Sequence, residues 1–126
     1  MITNDEMRRL WEWCGLRQER ASNEEIHWFD PEGVIASPTN DKSLPVLSLD
    51  NLFKWAIPRT PHLILSHRIT IPNLDIGRAQ RFIPHSKLNP DGSMEWWEAS
   101  LPGVEAKADN PAEAIARAIL KLMEAK

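Results

Sequence analysis

One cysteine, no tyrosine and only five glycines stand in this chain of 126 residues, and each scarcity removes a class of explanation. Cys14 alone closes no internal disulfide and anchors no multi-cysteine metal site, so the stapled framework of a small secreted domain is excluded. Gly15, Gly33, Gly77, Gly92 and Gly103 stand singly, and no phosphate-cradling loop or dinucleotide fingerprint can be drawn through them. No apolar run exceeds three residues, as in Leu63-Ile64-Leu65, against about 20 for a membrane span and about 7 to 15 for the core of a signal peptide. No Asn-x-Ser/Thr acceptor is present either. The expected setting is a reducing cytoplasm, with no membrane segment.

What is there is enough to fold. Apolar residues make up 42% and charged residues 26%, close to the globular average and too apolar for a disordered chain, and the length suits a single domain over residues 1–126. The net charge of −3 conceals a marked pattern. Residues 1–58 carry 6 basic against 10 acidic side chains and residues 88–126 carry 4 against 7, whereas residues 59–87 hold Arg59, Arg68, Arg78, Arg81 and Lys87 against Asp75 alone. Such a basic island either pairs with the acidic flanks of its own fold or attracts phosphates or an acidic protein surface.

Helix signals are strong at both ends. Thr3 to Glu6 has the spacing of a capping box, Met7, Leu10, Trp11 and Cys14 recur on one helical face, and Gly15 follows as a stop. Ser48 caps a second stripe of Leu49, Leu52, Phe53, Ala56 and Ile57 that Pro58 ends. Asn110, Pro111 and Glu113 open a third helix, with Ala114, Ile115, Ala118, Ile119, Leu122 and Met123 as its apolar stripe. Between them, Ile26–Phe29 and Val34–Ala36 flank the turn Asp30-Pro31-Glu32-Gly33 as a hairpin. Leu63–Ile71 reads as a strand with Leu65, His67 and Ile69 on its apolar face, and Met94–Leu101 and Val104–Lys107 read as strands joined by Pro102-Gly103, a pair suited to a type II turn. Residues 72–93, broken by Pro72, Pro84 and Pro90, read mainly as a basic loop. The order predicts an α+β fold, an antiparallel sheet of about four to five strands with three amphipathic helices, arranged as an α-β-α sandwich.

No local motif assembles a catalytic site, and no cofactor or metal is expected. His62 and His67 are five apart and so face opposite ways on a strand, and His67 reads as a core histidine bonded to backbone. Glu95 and Glu98 likewise fall on opposite faces, and Cys14 lies in an apolar stripe as a buried, inert thiol. The informative excess is tryptophan, six residues in all. Trp11, Trp28 and Trp55 coincide with apolar faces, whereas adjacent Trp96 and Trp97 must point to opposite sides of a sheet, and Trp is enriched in binding hot spots. Long loops on a rigid scaffold also concentrate binding residues, and Arg78 and Arg81 beside Phe82 offer cation and apolar surface for an acidic partner. The candidate binding set is therefore Arg78, Arg81, Phe82, Arg68 and Trp97.

The capped first helix, the Trp28-Phe29-Asp30-Pro31-Glu32-Gly33 turn, Leu47–Pro58 and Asp109–Ala118 together resemble the phage ABA sandwich family over residues 1–58 and 94–126. That resemblance implies a sheet between helical layers, in small phage or prophage proteins of unassigned function. Trp97–Val104 followed by Asn110–Ala114 is similar to the strand, turn, strand and helix unit of HicB-like antitoxins, which implies neutralisation of a small ribonuclease partner. The expected function is non-catalytic docking onto a protein partner by a phage or mobile-element protein, for instance to inhibit a host defence system such as a CRISPR effector. The alternative is an anionic-ligand or nucleic-acid binder using Arg59, Arg68, Arg78 and Arg81 of the basic segment 59–87.

Overall fold

The structure is a computed structural model that describes residues 2–20, 26–36, 44–70 and 86–125. The chain forms two compact units, Met1–Pro61 and His62–Lys126. Among the described residues run three helices, one 3₁₀ turn and six strands in two antiparallel sheets, which makes the fold α+β.

In the first unit, helix α1 (Asn4–Trp13) begins as its sequence dictates. The Thr3 side chain accepts from the Glu6 amide at 3.1 Å and the Glu6 carboxylate accepts from the Thr3 amide at 3.0 Å, which satisfies two amides the helix leaves over. Its buried stripe is Leu10, Trp11 and Cys14. Strand β1 (Arg17–Arg20) pairs with β2 (Ile26–Phe29) in a two-stranded ribbon. β1 has no sequence signature, since all four of its side chains are charged or amide-bearing and all are exposed. The expected partner of β2 was the segment after the turn. That segment does pair with β2 as a short hairpin: the Ala36 amide donates to the Trp28 carbonyl at 2.7 Å and the Asp30 amide to the Val34 carbonyl at 2.8 Å around the bridge of Phe29 with Ile35. The Asp30 side chain organises the turn by accepting from the Glu32 and Val34 amides at 2.9 Å each. Helix α2 (Leu49–Trp55) is capped by Ser48, whose hydroxyl accepts from the Asn51 amide. Pro58 does not end the chain's winding there: it sits inside a 3₁₀ turn, Ile57–Arg59, because proline needs no amide partner in a first helical turn. Leu52 and Ala56 are fully buried, but Phe53, placed on the same stripe by the sequence, is 59% exposed. So short a helix buries a single row of side chains, and Phe53 lies about 100° round from Leu52.

The second unit is built on one long strand, β5 (Met94–Leu101). β3 (Ile64–Ile69) lies along one edge of it, in the register Ile64 with Ser100 through Ile69 with Glu95. Along the other edge lie β4 (Lys87–Leu88), beside Glu95 and Met94, and then β6 (Val104–Ala108), from Ala108 opposite Trp97 to Val104 opposite Leu101. Pairing runs right up to Pro102-Gly103, and Gly103 has φ +87°, the sign a type II turn requires at that position. Residues 86–93, placed in the loop by the sequence, instead form β4 and a tight turn. The Asp91 carboxylate accepts from the Ser93 amide and hydroxyl, and the Ser93 hydroxyl bond foremost holds its pKa below the ordinary value. Residues 72–85 of that segment lie outside the described residues.

Helix α3 (Pro111–Glu124) packs across β5 and β6. Asn110 caps it by accepting from the Glu113 amide at 2.8 Å. Its Ile115 and Ile119 are buried, as are Ala99, Ala106 and Ala108 on the strands it packs across, and small residues on a sheet let a helix lie close to it. Cross-strand pairing puts Ala99, Leu101, Ala106 and Ala108 on one face, the one the helix covers.

Candidate functional site

β3 is the outermost strand of its sheet among the described residues. Which of its backbone groups face outward follows from the hydrogen bonds. Leu101 and Val104 close a two-residue hairpin, so the odd-numbered residues of β5 direct their main-chain groups to β6 and the even-numbered ones to β3. The Thr70 amide accordingly donates to the Met94 carbonyl at 2.8 Å, and Ile64, Ser66 and Arg68 share that inward direction. Leu65, His67 and Ile69 therefore turn their N–H and C=O groups away from β5, along an edge that no described strand covers.

The side chains along this edge are unusually apolar for so open a position. Ile64 is 63% exposed and Ile69 60% exposed, on opposite faces of the strand. Alternation had placed Leu65, His67 and Ile69 on a buried face. Helix α3 covers β5 and β6, and β3 lies beyond them, so the shared face continues but its cover does not. His67 is consequently not a core histidine. Its ring stacks on Trp97 with centroids 4.4 Å apart and planes 19° apart, and its Nε2 lies 2.9 Å from Glu95 Oε2. Lys87 Nζ reaches the same carboxylate at 3.7 Å.

Arg68 and Trp97 belong to this region but on opposite faces, because Arg68 pairs across with Trp96 and His67 with Trp97. The Arg68 guanidinium lies 3.5 Å from Glu98, which also accepts from Trp96 Nε1 at 3.0 Å and has Lys107 at 3.9 Å. Trp96 and Trp97 are each half-buried, so neither ring is the fully covered side chain expected of a sheet clothed on both faces. Glu95 and Glu98 lie on opposite faces, as their spacing requires. Arg78, Arg81 and Phe82 lie outside the described residues. Of the basic island, Arg68 and Lys87 both meet carboxylates of the acidic C-terminal flank. Sequence reasoning missed Ile64 and Ile69 as surface residues: alternation tells which side chains share a face, not whether anything lies on it.

The first unit contains a cavity of about 660 Å³. Cys14, Gly15, Pro31 and Trp55 contribute to its wall, and Asp30 and Glu32 stand against Lys54 and Arg59 around it. Gly15 has φ +95°, and a Cβ there would come 3.2 Å from the Pro31 ring, so both conformation and space call for glycine. Arg59 is engaged: its guanidinium donates to the Trp13 carbonyl and lies 5.6 Å from the centre of the Trp13 ring. Trp55, placed in the core by the sequence, is half-buried and meets the fully buried Trp11 edge-on at 5.3 Å.

Burial pushes the Cys14 thiol from the ordinary 9.0 up to about 12, against a smaller opposing pull from Arg59. Only the thiolate is nucleophilic. At pH 8 the folded chain, whose thiolate fraction is about a thousandfold smaller, is therefore expected to react with a thiol reagent much more slowly than the urea-unfolded chain. Equal rates would show that Cys14 is exposed and ionisable. The sign for stability follows: above pH 9 the unfolded chain loses this proton while the folded chain keeps it, so Cys14 makes folding less favourable as pH rises toward 12.

Among the described residues, no three His, Cys, Asp or Glu side chains are grouped to hold a metal ion, and no helix is long and apolar enough to cross a membrane. Neither family models, nor curated proteins, nor solved structures gave a match to this chain.

Proposed function

We propose that this chain is a small non-catalytic protein that acts by docking onto a protein partner, with the outer edge of β3 as the contact. The observation that carries this reading is an edge strand whose outward main-chain groups at Leu65, His67 and Ile69 lie between two largely exposed isoleucines, Ile64 and Ile69. Strand addition uses both elements: main-chain bonds supply affinity, and alternate side chains supply specificity. Arg68 and the stacked His67–Trp97 pair flank the contact on opposite faces. The setting is that of a phage or mobile-element protein in the host cytoplasm, and inhibition of a host defence system is the form such docking takes in this proposal.

The test compares capture of host proteins by the tagged chain and by the double variant Ile64→Asp, Ile69→Asp. Both side chains are exposed, so the two chains are expected to melt within a few degrees of each other. The native chain retains a specific protein, and the purified pair binds in a calorimeter, whereas the double variant retains none. Equal retention by both chains overturns the edge as the contact. Recovery of nucleic acid or a small molecule alone overturns docking onto a protein.

A further inference from the structure

Exposed edge strands are usually guarded. Natural sheets place a proline, a bulge or an inward-pointing charge along an open edge to prevent it from pairing with another chain. β3 carries neither of the first two: Ile64–Ile69 contains no proline, pairs with β5 without interruption, and has Arg68 as its one permanent charge. Arg68 is drawn toward Glu98 on β5, and the His67 ring toward Glu95, so each charge-bearing side chain of the edge leans inward to a carboxylate. Two such edges meet with little like-charge repulsion.

We infer that in the isolated protein this edge is occupied by a second copy of itself, β3 pairing antiparallel with β3 about a two-fold axis. The inference rests on the reading of β3 as the docking edge and names the occupant. Symmetry fixes most of the register. With the axis normal to the sheet, paired residues share a face and outward groups meet outward groups, so only even or odd residues pair among themselves. A register centred on Arg68 sets two guanidinium groups opposite one another. One centred on Ser66 sets Ile64 opposite Arg68 and Leu65 opposite His67. The register centred on His67 sets Leu65 opposite Ile69 twice and Ser66 opposite Arg68 twice, so apolar meets apolar and a hydroxyl meets the cation. It also uses the outward groups of Leu65, His67 and Ile69, each pair exchanging both main-chain bonds.

The register is read by thiols. Paired residues of this type stand about 5.5 Å apart at Cα, inside the roughly 4.4–6.8 Å that a disulfide spans. Native Cys14 is buried and stays out of the chemistry. Mild oxidation of His67→Cys is expected to give a covalent dimer quickly, and Ser66→Cys, which faces residue 68 rather than itself, is expected to lag. Should His67→Cys fail to fold, an equimolar mixture of Leu65→Cys and Ile69→Cys chains serves instead, cross-linking to each other and not to themselves. Light scattering on the native chain is expected to give twice 14.4 kDa, falling on dilution, and Ile69→Lys is expected to give 14.4 kDa with the native far-ultraviolet circular-dichroism spectrum and the melting temperature of the diluted native chain. A native chain that is monomeric throughout the dilution series overturns the inference, as does a dimer that survives Ile69→Lys or cross-links equally at 66 and 67. A monomer whose capture of a different protein is abolished by Ile69→Lys removes the second copy and leaves the docking reading standing. A monomer whose capture is unaffected removes both.

Discussion

Trp11→Ala is expected to destabilise the first unit by about 3–5 kcal/mol, the range for removing a fully buried aromatic side chain. Trp11 is completely inaccessible, its indole Nε1 donates to the Pro45 carbonyl at 3.1 Å, and its ring meets Trp55 edge-on. Truncation removes all three contributions at once: apolar burial, a ring contact worth about 0.5–1.5 kcal/mol, and the partner of a buried carbonyl. Trp11→Phe separates them. It keeps most of the aromatic volume but leaves the Pro45 carbonyl unpaired, so a smaller loss of about 1–3 kcal/mol is expected. Urea titration followed by far-ultraviolet circular dichroism measures both. A Trp11→Ala loss below about 1 kcal/mol would mean that the ring is not packed as described.

Ile119→Ala carries the second large effect, about 2–5 kcal/mol in the second unit. The reason is specific to what faces it. Ile119 is fully buried on helix α3, and the face of the sheet that the helix covers carries Ala99, Ala106 and Ala108 beside Leu101. Alanines have no rotamer with which to close a gap, so the cavity left by the lost atoms persists and the cost falls toward the upper end of the range. Ile69→Ala, compared with the native chain at a dilution where both are monomeric, is the matched control: the same chemical change at a side chain 60% exposed is expected to stay within about 0.5 kcal/mol. Equal losses at the two positions would show that helix α3 presents a different face to the sheet.

The sequence by itself determined the elements whose causes are local. Thr3, Ser48 and Asn110 were recognisable as caps because a short oxygen-bearing side chain before an apolar stripe satisfies amides that nothing else in the helix can reach, and all three do so. The β5–β6 hairpin was legible because alternation has a fixed period and Pro-Gly has fixed turn chemistry. The buried, unreactive character of Cys14 followed from its place in the helix stripe. The β4–β5 turn was signalled by Asn89-Pro90-Asp91-Gly92, but three prolines in the wider segment concealed it.

Tertiary structure decided the rest, because it depends on what lies against each face. β1 exists only because β2 is there to pair with it; its Arg17-Gln18-Glu19-Arg20 has no apolar alternation to announce a strand. His67 and Ile69 share a face with the buried Ala99 and Ala108, and in sequence nothing distinguishes them from core residues. Helix α3 spans β5 and β6 and ends its cover there, leaving β3 as the outermost described strand, with exposed isoleucines and a histidine drawn to Glu95 instead of to backbone. Period fixes the face a side chain takes; only the placement of the neighbouring layer fixes whether that face is core or surface.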